Sequence, residues 1–140
     1  MTPLVVDASV AVKWFIPEAH ADDAERVLAG DHELLAPDLI WPEVANALWK
    51  KCSRGELGSV AATSILRDFA RFPLVIQPAA HFIETALDIA VRRAYTVYDS
   101  LYLAVALARR CSLVTADRKL YDTVRRGPFA SHLLWVADVR

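Results

Sequence analysis

Four acidic residues stand where an apolar run stops or a helical pattern starts. Asp7 directly follows the apolar run PLVV, and Asp117 follows LVTA in the same way. Asp99 opens the apolar helical pattern DSLYLAVALA, and Glu43 lies early in the helical pattern IWPEVANALWKK. Several carboxylates gathered at a partly buried edge repel one another unless a cation compensates them. Carboxylate oxygens select a hard ion, so the pattern predicts a Mg²⁺ or Mn²⁺ site.

Each acid also has an ordinary structural explanation. Asp is favoured as a helix N-cap, which would account for Asp7, Asp99 or Asp117 taken alone. An acid in the first turn of a helix, such as Glu43, is favourable against the helix dipole. Its same-face neighbours are nevertheless mostly apolar, and Asn46 lies one turn further on, where it could hydrogen-bond the carboxylate. The joint occurrence of all four acids favours a site over four separate caps.

Other catalytic and binding classes lack their residues. The histidines and cysteines are scattered and offer no zinc-binding spacing, and neither Ser9 nor Ser100 lies in a nucleophile-elbow motif. With only four glycines, a Gly-rich phosphate loop is not expected. Thr115 precedes Asp117 by two residues, and its hydroxyl could orient a neighbouring carboxylate or a water.

Short β-rich runs alternate with longer helical patterns along the chain. This alternation predicts parallel βαβ units in a three-layer α/β fold, and in such sheets ligands bind at the carboxyl ends of the strands. The predicted strands are Leu4–Val6, Glu33–Ala36, Leu74–Gln77, Ser112–Thr115 and Leu133–Val136. The predicted helices are Val10–Ile16, Ala21–Ala29, Leu39–Ser53, Ser59–Phe72, Ala80–Arg93, Asp99–Arg110 and Arg118–Arg125.

Length and composition predict one domain over residues 1–140 and a cytoplasmic protein. The longest apolar run, residues 101–108, is far shorter than the ~20 residues of a membrane helix. Cys52 and Cys111 lie far apart in no metal-binding or redox spacing, so we expect both to be reduced. The net charge of −1 hides an acidic first third and a basic final third. Such an asymmetry could suit a polyanion held near a metal site.

Four motifs in chain order, VVDASV, PEVANAL, YDSLYLAVA and LVTADRKLY, resemble those of the PIN domain. More specifically, they resemble the VapC-like toxins of bacterial toxin–antitoxin pairs, over nearly the whole chain. The resemblance implies a Rossmann-like, five-stranded parallel sheet of order 3-2-1-4-5, in which the strands before Asp7 and Asp117 are neighbours. It also implies a Mg²⁺- or Mn²⁺-dependent ribonuclease, with an RNA substrate and a cognate antitoxin as partners.

Carried over by motif, the resemblance implies that Asp7, Glu43, Asp99 and Asp117 form the catalytic, metal-binding site. Among them, the resemblance points first to Asp7 and Asp99 as metal ligands. The implied supporting residues are Ser9, Asn46 and Thr115.

The basic and aromatic residues suggest how partners are held. Arginine outnumbers lysine, and its planar fork suits phosphate contacts. The candidates for RNA contact are Lys13, Arg109, Arg110, Arg118, Lys119, Arg125 and Arg126. Trp41, Ala45 and Trp49 form one helical stripe, and Trp14 lies on the first short helix. Plain core packing explains such residues, and so does a groove for an antitoxin helix or a second copy in a homodimer.

Two other functions remain open from the sequence. One is a PIN-like module that binds RNA without cleaving it. The other is an Asp-based phosphotransferase, which also places an Asp after its first strand. A phosphotransferase of the haloacid dehalogenase type would need a second acid at position 9, where this chain has Ser9.

Overall fold

Five parallel strands form one sheet in the order β3-β2-β1-β4-β5 in the computed structural model, which describes residues 1–140. The predicted parallel sheet and its order 3-2-1-4-5 are confirmed. The strands are β1 (Thr2–Val6), β2 (His32–Pro37), β3 (Leu74–Gln77), β4 (Ser112–Thr115) and β5 (Leu133–Trp135). The helices are α1 (Ala8–Ala11), α2 (Ala21–Ala29), α3 (Ile40–Ser53), α4 (Ser59–Phe69), α5 (Ile83–Arg93), α6 (Val97–Ala108) and α7 (Arg118–Val124).

The sheet separates two apolar cores, which makes the molecule three layers thick. Successive strand residues point to opposite faces, so Leu4 and Val6 join one core while Val5 joins the other. The first core includes buried residues of α1, α2 and α3. The second is filled chiefly by α6, whose residues 100–106 are all buried, together with α5 and α7. Both faces are covered, which is why the strands lack a clean apolar and polar alternation.

The helix that carries Asp99 begins two residues earlier than predicted. Thr96 is its N-cap, and the Thr96 hydroxyl accepts a hydrogen bond from the backbone N–H of Asp99 at 3.1 Å. The explanation of Asp99 as an N-cap is therefore wrong, and its carboxylate is free for another role. The first helix was predicted two residues late, at Val10–Ile16: α1 is a single turn over Ala8–Ala11, and a 3-10 turn over Val12–Trp14 follows it.

The tryptophan stripe predicted on α3 divides into a packed and an exposed member. Trp41 packs on Phe69 with ring centroids 4.9 Å apart, whereas the Trp49 side chain is 61% exposed. Trp14 stacks on Phe72 with centroids 5.3 Å apart, and its indole N–H donates to the Ala24 carbonyl. Core packing therefore explains Trp14 and Trp41, and Trp49 alone presents a large open surface.

No helix of the molecule has both the length and the apolar character required to span a bilayer.

Candidate active site

The pairing of β1 with β4 brings the first and last of the four acids, Asp7 and Asp117, to one edge of the sheet. β1 and β4 are neighbours in register, with Val6 opposite Val114. The next residue along each chain segment is Asp7 after Val6 and Thr115 after Val114, so these two residues meet at the carboxyl ends of the strands. This is the edge at which ligands bind in open parallel sheets.

Asp7 is buried, with 6% of its surface exposed, and its carboxylate accepts three hydrogen bonds. Oδ1 accepts from the Ser9 hydroxyl at 2.5 Å and from the backbone N–H of Val10 at 3.2 Å. Oδ2 accepts from the Thr115 hydroxyl at 2.5 Å. The bond from Val10 makes Asp7 the N-cap of α1, so its capping role and its place in the site coexist. Ser9 and Thr115, both predicted as supporting groups, hold the carboxylate in one orientation.

Burial raises the pKa of Asp7 to about 6, although the three hydrogen bonds oppose that shift. The nearby charge of Asp117 adds to the increase. Desolvation disfavours the ionised carboxylate, and a second negative charge disfavours it further. Asp7 is thus a carboxylate that a cation would stabilise strongly.

Asp117 and Asp99 are neighbours in this region. Asp117 caps α7, where its Oδ1 accepts from the backbone N–H groups of Lys119 and Leu120. Asp99 is half-buried in the first turn of α6, and burial followed by the charge of Asp117 raises its pKa. Thr96 and Lys119 act in the opposite direction. Both acids line a cleft of about 410 Å³, with Lys119 at its wall.

Glu43 stands in the first turn of α3, where partial burial and then the charge of Asp99 raise its pKa. It lines a neighbouring cleft of about 360 Å³ together with Asn46 and Tyr98. Asn46, predicted to support Glu43, shares that cleft but contributes no hydrogen bond that lowers the Glu43 pKa. Only its proximity to Glu43 therefore supports the predicted supporting role of Asn46.

Tyr102 is a site residue that the sequence reasoning missed. It is 2% exposed, and burial together with the charges of Glu43, Asp7 and Asp99 raises its pKa. Its hydroxyl lies beside Glu43, yet no partner completes a hydrogen bond of ordinary geometry to it. The available signal was its position three residues after Asp99 on an otherwise apolar helix, which places it on the same face.

The four predicted acids interact electrostatically as neighbouring pairs. The charge of Asp117 raises the pKa of Asp7 and of Asp99, and the charge of Asp99 raises the pKa of Glu43. No three acidic, histidine or cysteine side chains converge closely enough to enclose a metal ion between them. The donor set nevertheless fits a hard divalent cation, because it is all oxygen and because three of the four acids have pKa values raised by burial and like charge.

The basic residues predicted to hold RNA have different surroundings. Lys119 lines the cleft of Asp99 and Asp117. Arg118 lies over the Trp135 ring, 3.9 Å from its centroid. Arg109 and Arg125 are engaged in ion pairs with Glu33 and Asp122. The remaining candidates are Lys13, which pairs with Glu18, and Arg110 and Arg126.

Comparison with known proteins identifies the family to which this chain belongs. The chain matches the family model described as PIN domain over residues 4–126. It is 37% identical to Ribonuclease VapC3 of Pyrobaculum aerophilum over 121 residues, which cover 85% of this chain and 92% of that protein. It is 32% identical to Ribonuclease VapC9 of Mycobacterium tuberculosis over 120 residues, covering 86% of this chain and 90% of that protein.

Solved structures share the fold. The crystal structure of PAE2754 from Pyrobaculum aerophilum matches with a TM-score of 0.69 and 28% identity, covering 96% of this chain and 91% of that one. A toxin-antitoxin complex from Klebsiella pneumoniae contains a chain that matches with a TM-score of 0.65. That chain is 14% identical, and the match covers 97% of this chain and 99% of that one, which is a likeness of fold.

Proposed function

The chain belongs to the PIN domain family, as its match over residues 4–126 shows, and we propose that it is a metal-dependent ribonuclease of the VapC type. The observation that carries the proposal is the buried, triply hydrogen-bonded carboxylate of Asp7 beside Asp117 at the carboxyl end of the central strands. The relatives named ribonuclease VapC supply the substrate class, which is RNA.

The four acids are the residues that would hold the metal. Asp7 and Asp99 would be its principal ligands, and Asp117 and Glu43 would complete the acidic site. A Mg²⁺ or Mn²⁺ ion bound there supplies positive charge to the scissile phosphate and lowers the pKa of a water.

The protein's own contribution is to hold these oxygens in fixed orientations. Ser9 and Thr115 fix the two oxygens of Asp7, so this carboxylate is oriented before any ligand arrives. The backbone of α7 fixes Asp117 in the same way. Preorganised charge of this kind costs no reorganisation during the reaction.

In this proposal the protein is the toxin of a toxin–antitoxin pair, and its partners are a cognate antitoxin and a second copy in a homodimer. The solved toxin-antitoxin complex from Klebsiella pneumoniae has the same fold. The exposed Trp49 offers apolar surface for a partner.

The alternative is a PIN-like module that binds RNA without cleaving it. One observation favours it, namely that no three acids converge on a common point. The phosphotransferase alternative has no support from the geometry, because the residue two positions after Asp7 is Ser9 and its hydroxyl is engaged with Asp7.

The test is RNA cleavage by the purified full chain with Mg²⁺, with Mn²⁺ and with EDTA. We expect cleavage only with metal, and Asp7→Asn should lower the rate by ~100-fold or more, about 2.7 kcal/mol of barrier. Arg67→Gln, an exposed substitution elsewhere, is the control and should cleave as wild type does. Binding of RNA without cleavage in any metal would establish the alternative. Full cleavage in EDTA would exclude the metal-dependent mechanism.

A further inference from the structure

A basic cleft of about 300 Å³ lies directly beside the acidic site. It is bounded by α1 on one side and by the C-terminal part of α3 on the other. Four cationic side chains line it, and Glu18 is its only acid. The cations are Lys13, Lys50, Lys51 and Arg54.

Glu18 organises one wall of this cleft. Its Oε1 accepts from the Lys13 ammonium at 3.0 Å, and its Oε2 accepts from the Lys51 ammonium at 2.9 Å. The two lysine side chains are only 12% and 19% exposed, so both are held in place. Lys50 and Arg54 have no carboxylate partner within ion-pair distance, and the cleft therefore carries excess positive charge.

The ordinary explanation of three of these cations is compensation of the helix dipole, since Lys50, Lys51 and Arg54 lie at the C-terminal end of α3. That explanation does not cover Lys13, which comes from the 3-10 turn after α1 and is brought to the same cleft. Nor does it account for Glu18, which holds Lys13 and Lys51 together.

The cleft is continuous with the acidic site. Ser9 lines it, and the same Ser9 hydroxyl donates to Asp7. Ala8, Ala47 and Lys50 line both this cleft and the adjoining one that contains Glu43. A single groove thus runs from carboxylates at one end to unpaired cations at the other.

We propose that this basic cleft binds a backbone phosphate of the RNA strand, adjacent to the phosphate that occupies the acidic site. Lys50 and Arg54 contact the phosphate, while Glu18 positions Lys13 and Lys51 behind it. The inference rests on the proposed ribonuclease function, because it uses the acidic site to place the rest of the strand. Positive charge that neutralises a phosphate releases counterions, so the contact has a defined salt signature.

The experiment measures equilibrium binding of a fluorescently labelled single-stranded RNA to the full chain in EDTA, over a range of salt concentrations. The test variant is Lys50→Gln with Arg54→Gln. Its matched control is Arg67→Gln with Arg71→Gln, which removes the same charge from two exposed arginines, one in the last turn of α4 and one just beyond it, that have no carboxylate partner. Thermal melts of both variants verify that they are folded.

We expect the slope of log affinity against log salt to become shallower by about 0.7 in the test variant, since each phosphate of a single strand that the protein neutralises contributes about 0.7. The control should keep the wild-type slope. Equal slopes in all three proteins, or equal losses in both variants, would overturn the proposal. If wild type cleaves RNA with metal while the slopes are equal, the cleft inference alone fails. If the slopes differ while no metal supports cleavage, the cleft inference stands and the ribonuclease function fails.

Discussion

The hydroxyl of Thr115 connects the first and last acids of the site. It donates to Asp7 Oδ2 at 2.5 Å and accepts from the backbone N–H of Asp117 at 3.1 Å. One buried side chain at the end of β4 therefore sets both the orientation of Asp7 and the backbone from which Asp117 projects. The link exists only because β1 and β4 are adjacent, since the two residues are far apart in the chain.

Replacing this hydroxyl should weaken both stability and catalysis. Thr115→Val keeps the side-chain shape but leaves Asp7 Oδ2 without its donor, and a buried acceptor without a partner costs about 1–3 kcal/mol. Chemical denaturation in EDTA measures the loss, and RNA cleavage with Mg²⁺ should fall as well. Thr123→Val is the matched control, because the Thr123 hydroxyl bonds only an exposed helix carbonyl. Equal small losses in both variants would show that the link to Asp7 is unimportant.

The raised pKa of Asp7 predicts a pH dependence in the metal-free protein. The folded state holds the Asp7 proton up to about pH 6, whereas the unfolded chain releases it near 3.8. Stability from this group is therefore present at low pH and is lost as the pH rises through that window. Asp7→Asn lacks the titration, so its unfolding free energy relative to wild type should increase between pH 4 and pH 6. A difference that stays flat, or decreases, over this range would contradict the shift.

The capping arrangement of α6 separates the roles of Thr96 and Asp99. Thr96→Ala removes the cap and should cost about 1 kcal/mol of stability, with or without metal. Asp99→Asn removes a charge that Asp117 opposes, so the metal-free protein should be as stable as wild type or more stable.

The same two variants should differ in their response to metal. Mg²⁺ that binds only the folded state raises the melting temperature by mass action. This increase should be smaller in Asp99→Asn than in wild type and unchanged in Thr96→Ala. Thermal melts with Mg²⁺ and with EDTA measure it. An equal gain in Asp99→Asn and wild type would remove Asp99 from the metal ligands.

Glu18 should stabilise the fold only while it is ionised. Partial burial opposes its ionisation, but the hydrogen bonds and charges of Lys51 and Lys13 outweigh burial and lower its pKa. For a carboxylate with a lowered pKa, the contribution is present above the unfolded pKa and is lost as the pH falls through the folded one. Glu18→Gln should therefore be less stable than wild type at pH 7, and the gap should close in acid. Glu25→Gln, an exposed acid on α2 without an ion pair, should show no such gap.

Local sequence determined where the first and last acids of the site lie relative to the strands. A strand pattern that ends in Asp is visible at Asp7 and at Asp117, because strand ends and helix caps depend on neighbours within a few residues. The period of the apolar residues determined the α/β class and most element positions for the same reason. The strand order followed from the resemblance to the PIN domain, and the observed sheet has that order.

Tertiary structure decided which side chains surround those acids. The contact of Tyr102 with Glu43, and the division of the α3 tryptophans into a packed Trp41 and an exposed Trp49, depend on how helices pack. The joining of Lys13 to Lys51 through Glu18 depends in the same way on the approach of α1 to α3. Periodicity gives the face of a helix on which a residue lies, but not the element that covers that face. The covering element is set by long-range packing, and that packing brought the basic cleft beside Asp7.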